Sequence, residues 1–162
     1  TRAAVRDGEY WYAAVAVNNS SGPVAASIHV TVIDEAGVVT HQETITRLVP
    51  KAVETISYDP RGNKWQDSIW TYTWDAMDRL TAVEMKEIAG ADRVKVEFQY
   101  DFFGRRATKK VYSHNGSAWV LEYTRKFIWS GWLLQAETNG DDKLIRSYVW
   151  EGADGRAGRL AS

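Results

Sequence analysis

The sequence contains no cysteine, only three prolines and only two methionines among its 162 residues. The absence of cysteine excludes disulfide bonds, thiol catalysis and cysteine-ligated zinc. So few prolines and methionines argue against a proline-rich linker and against a methionine-lined binding groove. No run approaches the roughly 20 apolar residues of a membrane helix, so membrane insertion is not expected. Because no signal peptide or initiator Met precedes Thr1, we interpret the chain as a segment of a longer protein.

Charge is nearly balanced, whereas the aromatic content is unusual. Twenty basic and 21 acidic residues give a net charge of −1, which predicts no bulk attraction to nucleic acid or to anionic lipid. Eight Trp and eight Tyr stand against four Phe. Trp and Tyr combine a large apolar ring with one polar group, which suits wide, half-buried sheet surfaces. The composition therefore favours a β protein with extensive aromatic faces.

Side chains alternate between apolar and polar along most of the chain, which is typical of β-strands. In 94–100, for example, Val96 and Phe98 share one face while Lys95 and Glu97 share the other. The pattern predicts an all-β domain over 1–162 with about eleven antiparallel strands and little or no helix. The one alternative is a helix over 81–89, and we favour a strand there. Arg125 interrupts an aromatic face, which indicates a nearby bulge.

Turn signals separate these strands at the spacing of a β meander. Asn115-Gly116 and Asn139-Gly140 predict type I′ turns, which require two residues with positive φ. The pattern divides the chain into divergent N-terminal strands over 1–54, repeated hairpins over 55–150 and a flexible tail over 151–162.

The hairpin region contains a repeated motif of an aromatic residue, Asp, two variable residues and Gly. The aromatic ring should be buried at the end of a strand, the Asp should accept hydrogen bonds from turn N–H groups, and the Gly should adopt positive φ. Asp78 stands where the second copy would have Gly, and 127–131 and 148–152 are degenerate copies without the Asp. The motif residues are Tyr58, Asp59 and Gly62 in the first copy, Trp74 and Asp75 in the second, and Tyr100, Asp101 and Gly104 in the third.

With these motifs the chain resembles the YD-repeat or RHS (rearrangement hotspot) family, strongly over 55–150 and weakly before that. The resemblance implies a β-hairpin ribbon that spirals into a hollow shell in large, secreted or cell-surface proteins, often with an enclosed C-terminal toxin. It also implies a link to carbohydrate binding. In the family a core region with self-cleavage beside Asp-Pro-x-Gly ends the shell. Asp59-Pro60-Arg61-Gly62 has that spelling, but further repeats follow it, so no cleavage is expected there.

The sequence offers little for catalysis or for a cofactor. His29, His41 and His114 lack the spacing of metal ligands, and the neighbouring pair Asp141-Asp142 is interpreted as turn caps. No nucleophile elbow and no phosphate-binding glycine loop is present. The basic cluster at 105–110 is divided between two strand faces, which favours a solvated edge over a nucleic-acid site. We therefore expect no enzyme activity, no cofactor and no metal.

Two functional interpretations remain. The first is a structural shell segment whose partners are neighbouring repeats of the parent chain or, through unpaired sheet edges, further copies of itself. The second is a carbohydrate- or surface-binding module that uses exposed rings, for which Trp65 and Trp132 are the candidates because each follows a turn glycine. The alternative for both rings is that they fill gaps between stacked hairpins.

Overall fold

A computed structural model describes residues 3–151 and 159–160. The chain divides into two compact units, Thr1–Glu54 and Thr55–Ser162. Every strand pair among these residues is antiparallel, which confirms the all-β hairpin fold. None of the described chain forms a helix with the length and apolar composition that a membrane crossing needs.

The first unit contains two separate two-stranded sheets. Strands β1 (Val5–Asp7) and β2 (Tyr10–Tyr12) form a short hairpin. Strands β3 (Val24–Ile33) and β4 (Val39–Val49) form a long one, in which Val24 pairs with Val49. The Asn19 side-chain amide donates to the Pro50 carbonyl oxygen at 2.7 Å, which closes the base of the long hairpin.

The second unit contains a nine-stranded meander, in which each strand pairs with its neighbours in sequence. Its strands are β5 (Ser57–Tyr58), β6 (Lys64–Gln66), β7 (Trp70–Trp74), β8 (Leu80–Met85), β9 (Val94–Tyr100), β10 (Arg106–His114), β11 (Trp119–Ser130), β12 (Leu133–Asn139) and β13 (Leu144–Ser147). Two short strands, β14 (Trp150–Glu151) and β15 (Arg159–Leu160), pair with each other.

The register of the meander places one large side chain from each of five neighbouring strands in a single row. Tyr72 lies opposite Val83, Val83 opposite Val96, Val96 opposite Val111, and Val111 opposite Tyr123. Such cross-strand pairs stabilise a sheet, because each side chain covers part of its neighbours. Few side chains are fully enclosed, however, and the buried apolar ones among the described residues are Ile69, Met85 and Ile88.

Several local predictions need correction. The described residues form fifteen strands instead of about eleven, because strands of two or three residues are too short to show an alternating pattern. Two other local predictions are confirmed. Residues 80–85 form a strand. A register shift at Val111/Tyr112 also places a bulge close to Arg125, which lies in the partner strand. The expected flexible tail lies largely outside the described residues, but β14 and β15 show that part of it is paired.

The two predicted type I′ turns are also wrong. Gly116 has positive φ (96°) whereas Asn115 does not, so this turn lacks the second left-handed residue. Instead, the Asn115 side chain accepts hydrogen bonds from the N–H groups of Ser117 and Ala118. In the other turn, positive φ falls on Asp142 (63°) and not on Asn139 or Gly140. In both places the Asn side chain caps a longer turn.

Candidate functional site: the motif edge of the sheet

The turns after β5, β7, β9 and β11 lie along one edge of the nine-stranded sheet, because alternate connections of a meander fall on the same side. We call this side the motif edge, since it carries residues 59–63, 75–79, 101–105 and 131–132. The other connections, 67–69, 86–93, 115–118 and 140–143, form the opposite edge. Six of the eight predicted motif residues are partly covered, whereas Tyr58 and Gly62 are exposed.

The Asp of the motif caps its own turn. The Oδ1 atom of Asp101 accepts hydrogen bonds from the N–H groups of Phe103 (3.0 Å) and Arg105 (2.9 Å). Gly104 has φ of 81°, a conformation in which most side chains are strained. The same pair of hydrogen bonds is present at Asp59 and at Asp75. In these turns, the left-handed residues are Gly62 (87°) and Asp78 (58°).

Sequence reasoning missed two further copies of this turn. Asp34 accepts from the N–H groups of Ala36 and Val38 in the β3–β4 hairpin, where Gly37 has φ of 81°. At the opposite edge, Asn139 accepts from Asp141 and Lys143, and Asp142 is the left-handed residue. The signal available in the sequence was an Asp or Asn (Asx) followed three positions later by a Gly or Asp, which can adopt positive φ. It was overlooked because neither copy has an aromatic residue immediately before the Asx position.

Arginines connect each motif turn to the next one along the edge. Arg79 places two guanidinium nitrogens 2.7 Å from Oδ2 of its own Asp75, and its Nη1 donates to the Asp101 carbonyl oxygen at 3.4 Å. We call this reach from one turn to the next the forward clasp. Three arginine side chains make forward clasps, each to main-chain carbonyl oxygens of the next turn. Arg61 donates to Ala76 (2.8 Å) and Asp75 (3.3 Å), Arg79 donates to Asp101, and Arg105 donates to Gly131.

Aromatic side chains make a second connection in the reverse direction. The Tyr100 hydroxyl donates to the Leu80 carbonyl oxygen at 2.7 Å, which joins the end of β9 to the start of β8. We call this contact the backward clasp. Three indole N–H groups make the equivalent contact to a main-chain carbonyl oxygen. Trp74 donates to Lys64 (2.7 Å), Trp129 to Arg106 (2.8 Å) and Trp150 to Leu134 (2.7 Å).

The backward clasps identify which aromatic residue belongs to each degenerate copy. In 127–131 and 148–152 the donors are Trp129 and Trp150, not the first aromatic residue of either segment.

Tyr58 occupies the same motif position on β5, but β5 is the outermost strand and has no preceding strand in its sheet. Its side chain is 60% exposed, which contradicts the expectation that every motif ring is buried.

The turn caps and the ion pairs with arginine in the same turn favour the charged form of the motif carboxyl groups. The Arg79 N–H group, followed by the Arg79 side chain, lowers the pKa of Asp75 below its usual value despite partial desolvation. At Asp101 desolvation raises the pKa, but hydrogen bonds from the side chain and N–H of Arg105 outweigh it, so the pKa is lowered. These carboxylates are therefore engaged as acceptors within the turns.

A buried carboxylate holds the first turn of the opposite edge. Asp67 accepts hydrogen bonds from the Ile69 and Trp70 N–H groups and from the Tyr72 hydroxyl, at 2.7 to 2.8 Å, while Lys64 Nζ lies 2.6 Å away. Burial raises the pKa of Asp67, but these donors outweigh it and lower the pKa to about 2. Sequence reasoning missed this residue, because no motif surrounds it.

The two candidate carbohydrate-binding rings are both on the surface and lie apart. Trp65 is 55% exposed and Trp132 is 71% exposed. Trp65 lies on β6, whereas Trp132 lies in the turn after β11. Five strand spacings separate β6 from β11, which amounts to roughly 24 Å along the sheet. The structure therefore does not bring these two rings into one site.

Large apolar side chains project from consecutive turns of the motif edge. Met77, Phe102, Phe103 and Trp132 are all exposed, and Phe102 is 86% exposed. The Phe102 and Phe103 ring centroids lie 3.8 Å apart, and the Arg105 guanidinium stacks 4.8 Å from the Phe103 centroid. Because Arg105 also donates to Gly131, the tip at 102–103 is linked directly to the tip at Trp132.

Comparison with known proteins gives two informative relatives. The chain is 38% identical over 111 residues to the tRNA3(Ser)-specific nuclease WapA of Bacillus spizizenii, which covers 67% of this chain and 4% of that protein. It is 37% identical over 99 residues to the tRNA nuclease WapA of Bacillus subtilis strain 168, which covers 60% and 4% respectively. The chain thus spans about 4% of the length of these relatives. No protein-family model matches the chain.

The remaining chemically active side chains are dispersed. His29 bonds to the Thr44 hydroxyl at 2.8 Å, and His114 packs edge-on against Trp119. Within residues 3–150, no group of three metal-ligating side chains comes together. In the basic cluster, Arg105 is held by Asp101, and the Arg106 guanidinium stacks 4.5 Å from the Phe98 ring.

Proposed function

We propose that this chain is a structural β-repeat segment of a large RHS/YD-repeat protein similar to the WapA nucleases. The two-way clasp between successive motif turns is the observation that carries this proposal. It uses the motif residues for joining hairpins, and it repeats along the edge with different residues in the same roles. A repeated interface of this kind is what allows a ribbon of hairpins to be extended.

We propose that the segment itself has no catalytic role, even though its relatives are named as tRNA nucleases. The motif Asp side chains are occupied as turn caps and as partners of arginines. In this view the segment belongs to the scaffold of a protein whose nuclease activity resides elsewhere. On the family resemblance, we further propose that the parent protein is secreted or displayed on the cell surface.

Incubation of the purified chain with total tRNA tests the assignment of a non-catalytic scaffold. We expect intact tRNA on a denaturing gel after prolonged incubation. Cleavage that disappears in the Asp101→Asn variant, while the variant retains its β-sheet circular dichroism spectrum, would overturn the proposal. Antibody detection of the parent protein on intact cells and in the culture medium tests the location.

A second candidate function is carbohydrate binding through Trp132 or Trp65. The exposure of both rings supports it, because a free aromatic face can stack on the apolar face of a sugar. We expect weak or no binding of the chain to a glycan array under the scaffold proposal. Binding that is lost in Trp132→Ala or Trp65→Ala would favour the carbohydrate proposal. Trp11→Ala is a suitable control, since Trp11 is also exposed but lies outside the repeat region.

A further inference from the structure

The two edges of the nine-stranded sheet differ in the residues that their turns expose. At the motif edge, the tips of three consecutive turns carry Met77, the pair Phe102 and Phe103, and Trp132. At the opposite edge, the turns over 115–118 and 140–143 contain Asn, Gly, Ser, Ala, Asp and Lys. The exposed apolar side chains of turn residues are thus concentrated along one side of this sheet.

The turn geometry does not require these apolar residues. In the five-residue turn, the first residue caps, the fourth has positive φ and the fifth pairs with the first, so the two residues after the cap are free to vary. The turn that begins at Asn139 has Gly140 and Asp141 in these positions, and the one at Asp34 has Glu35 and Ala36. Aromatic residues at 102 and 103 therefore need an explanation outside the turn itself. Contiguous exposed apolar surface commonly marks a protein interface.

The tips form a regular and rigid row. Consecutive tips are two strands apart, which corresponds to about 10 Å along the edge. The forward clasps from Arg79 and Arg105 fix the spacing, because each connects one tip to the backbone of the next. A second edge with the same spacing can place its tips between these tips along the whole row. A second ribbon of the same kind is therefore the partner that matches this surface in period.

Charge at the motif edge also favours this partner over a membrane. Four Asp side chains lie in the turns beside three Arg side chains, so the edge offers no excess positive charge to anionic lipid. In an antiparallel arrangement about a two-fold axis, the half-exposed Arg61 at one end of the row would face Trp132 of the other copy. Attraction between a guanidinium group and an indole ring supports that pairing.

We propose that the row formed by Met77, Phe102, Phe103 and Trp132 is a lateral docking surface for a second ribbon of the same kind. This inference rests on the proposed scaffold function, in which one stretch of ribbon lies edge to edge against another. A second copy of the chain provides the corresponding surface in solution. Contact between turn tips is distinct from the addition of strands at β5 or β13, which would lengthen the sheet instead of joining two ribbons side by side.

Sedimentation velocity of the full chain over a range of concentrations tests the proposal. We expect a monomer–dimer equilibrium for the wild type and at least a tenfold weaker association for the double variant Phe102→Ser, Trp132→Ser. Two variants serve as controls and should retain the dimer. Ile145→Lys alters the exposed strand β13, and Tyr10→Ser removes an exposed ring from the first unit.

Three results would overturn the proposal. The first is a wild type that stays monomeric at the highest concentration reached. The second is a dimer lost in Ile145→Lys but kept in the double variant, which would indicate strand addition. The third is flotation with phosphatidylcholine vesicles that the double variant abolishes, which would indicate a lipid partner. Circular dichroism checks that each variant is folded. Failure of the scaffold proposal is detected separately, by the tRNA assay.

Discussion

The β3–β4 hairpin and the nine-stranded sheet use the same turn, yet only the sheet joins one hairpin to the next. The turn at Asp34 has the cap, the closing hydrogen bonds and the left-handed glycine of the turn at Asp101. At the two turn positions from which arginines make forward clasps it has Ala36 and Val38, so it cannot make one. The β3–β4 pair accordingly forms its own two-stranded sheet.

The difference separates two roles within the repeat. The Asp and the left-handed residue form a hairpin, whereas the Arg and the aromatic donor join hairpins to each other. An isolated hairpin is marginally stable in water, so the joining contacts should determine the stability of the larger sheet. Four substitutions measure what individual side chains contribute to the larger sheet, and they follow in order of decreasing expected effect.

The largest loss of stability is expected for Met85→Ala. Met85 is 1% exposed and lies in the sheet, so its truncation should leave a cavity and lower the free energy of unfolding by about 2 to 5 kcal/mol. Met77, the other methionine, is exposed at the motif edge, and Met77→Ala should change stability by less than about 0.5 kcal/mol. Urea unfolding followed by Trp fluorescence measures both. Equal effects would contradict the distribution of burial described above.

Asp67→Asn is expected to weaken the sheet in a pH-dependent manner. The folded-state pKa of about 2 lies below the ordinary value of 3.8, so the charged carboxylate contributes stability above about pH 4 that is lost as the pH falls through 2. This difference corresponds to a loss on the order of 2 kcal/mol in the variant at pH 7.

Unfolding of wild type and Asp67→Asn at pH 7 and at pH 2 measures this contribution. The two proteins should differ less at pH 2 than at pH 7, because the wild-type carboxyl group becomes partly protonated. A difference that stays constant between the two pH values would show that the carboxylate charge is unimportant.

Two glycine substitutions in the same turn compare the two units directly. Gly104 and Gly37 both have φ of 81°, and a Cβ atom would meet no atom within 4 Å at either site, so the cost of alanine is purely conformational. Gly104→Ala should destabilise the nine-stranded sheet by about 1 to 2 kcal/mol. Gly37→Ala should have the same local cost without lowering the stability of that sheet.

Gly140→Ala is the matched control for these glycines. Gly140 lies in a turn of the same kind but without positive φ, and its Cβ atom would make an ordinary 3.5 Å contact with Thr124. The substitution should leave stability unchanged or raise it slightly, since alanine restricts the unfolded chain. Thermal unfolding of the three variants would refute this explanation if Gly140→Ala were the most harmful.

The smallest effect is expected for removal of a single backward clasp. Tyr100→Phe removes the hydroxyl that donates to the Leu80 carbonyl, and should cost about 1 kcal/mol. Tyr58 holds the same motif position on the outermost strand, so Tyr58→Phe should have no measurable effect. Chemical denaturation of the two variants under identical conditions checks this prediction. A larger loss for Tyr58→Phe would refute the role given to the backward clasp.

The sequence was sufficient to predict the hairpins but not the connections between them. Alternation and the motif located most long strands, and the roles of Asp101 and Gly104 followed from turn chemistry. The clasps could not be predicted, because their acceptors are main-chain carbonyls 10 to 26 positions away, which no side-chain pattern reveals. The excess of Trp and Tyr over Phe was the available signal, since a clasp needs a ring with a donor.

The prediction of buried motif rings failed at Tyr58 for a related reason. The motif specifies which residue ends a strand, but it does not specify whether another strand lies beside it. Similarly, Asp142 and not Gly140 took positive φ in the turn at Asn139, because the closing hydrogen bonds placed the left-handed residue three positions after the cap. Asp tolerates this conformation better than most residues do.

Native-state hydrogen exchange of the double variant Arg79→Lys, Tyr100→Phe tests most directly whether clasps hold the hairpins together. This variant removes one forward and one backward clasp between the same two turns. We predict faster exchange at the amides that join β8 to β9, with unchanged exchange in the β3–β4 hairpin. Unchanged exchange between β8 and β9, in a variant that retains its fold, would contradict the account.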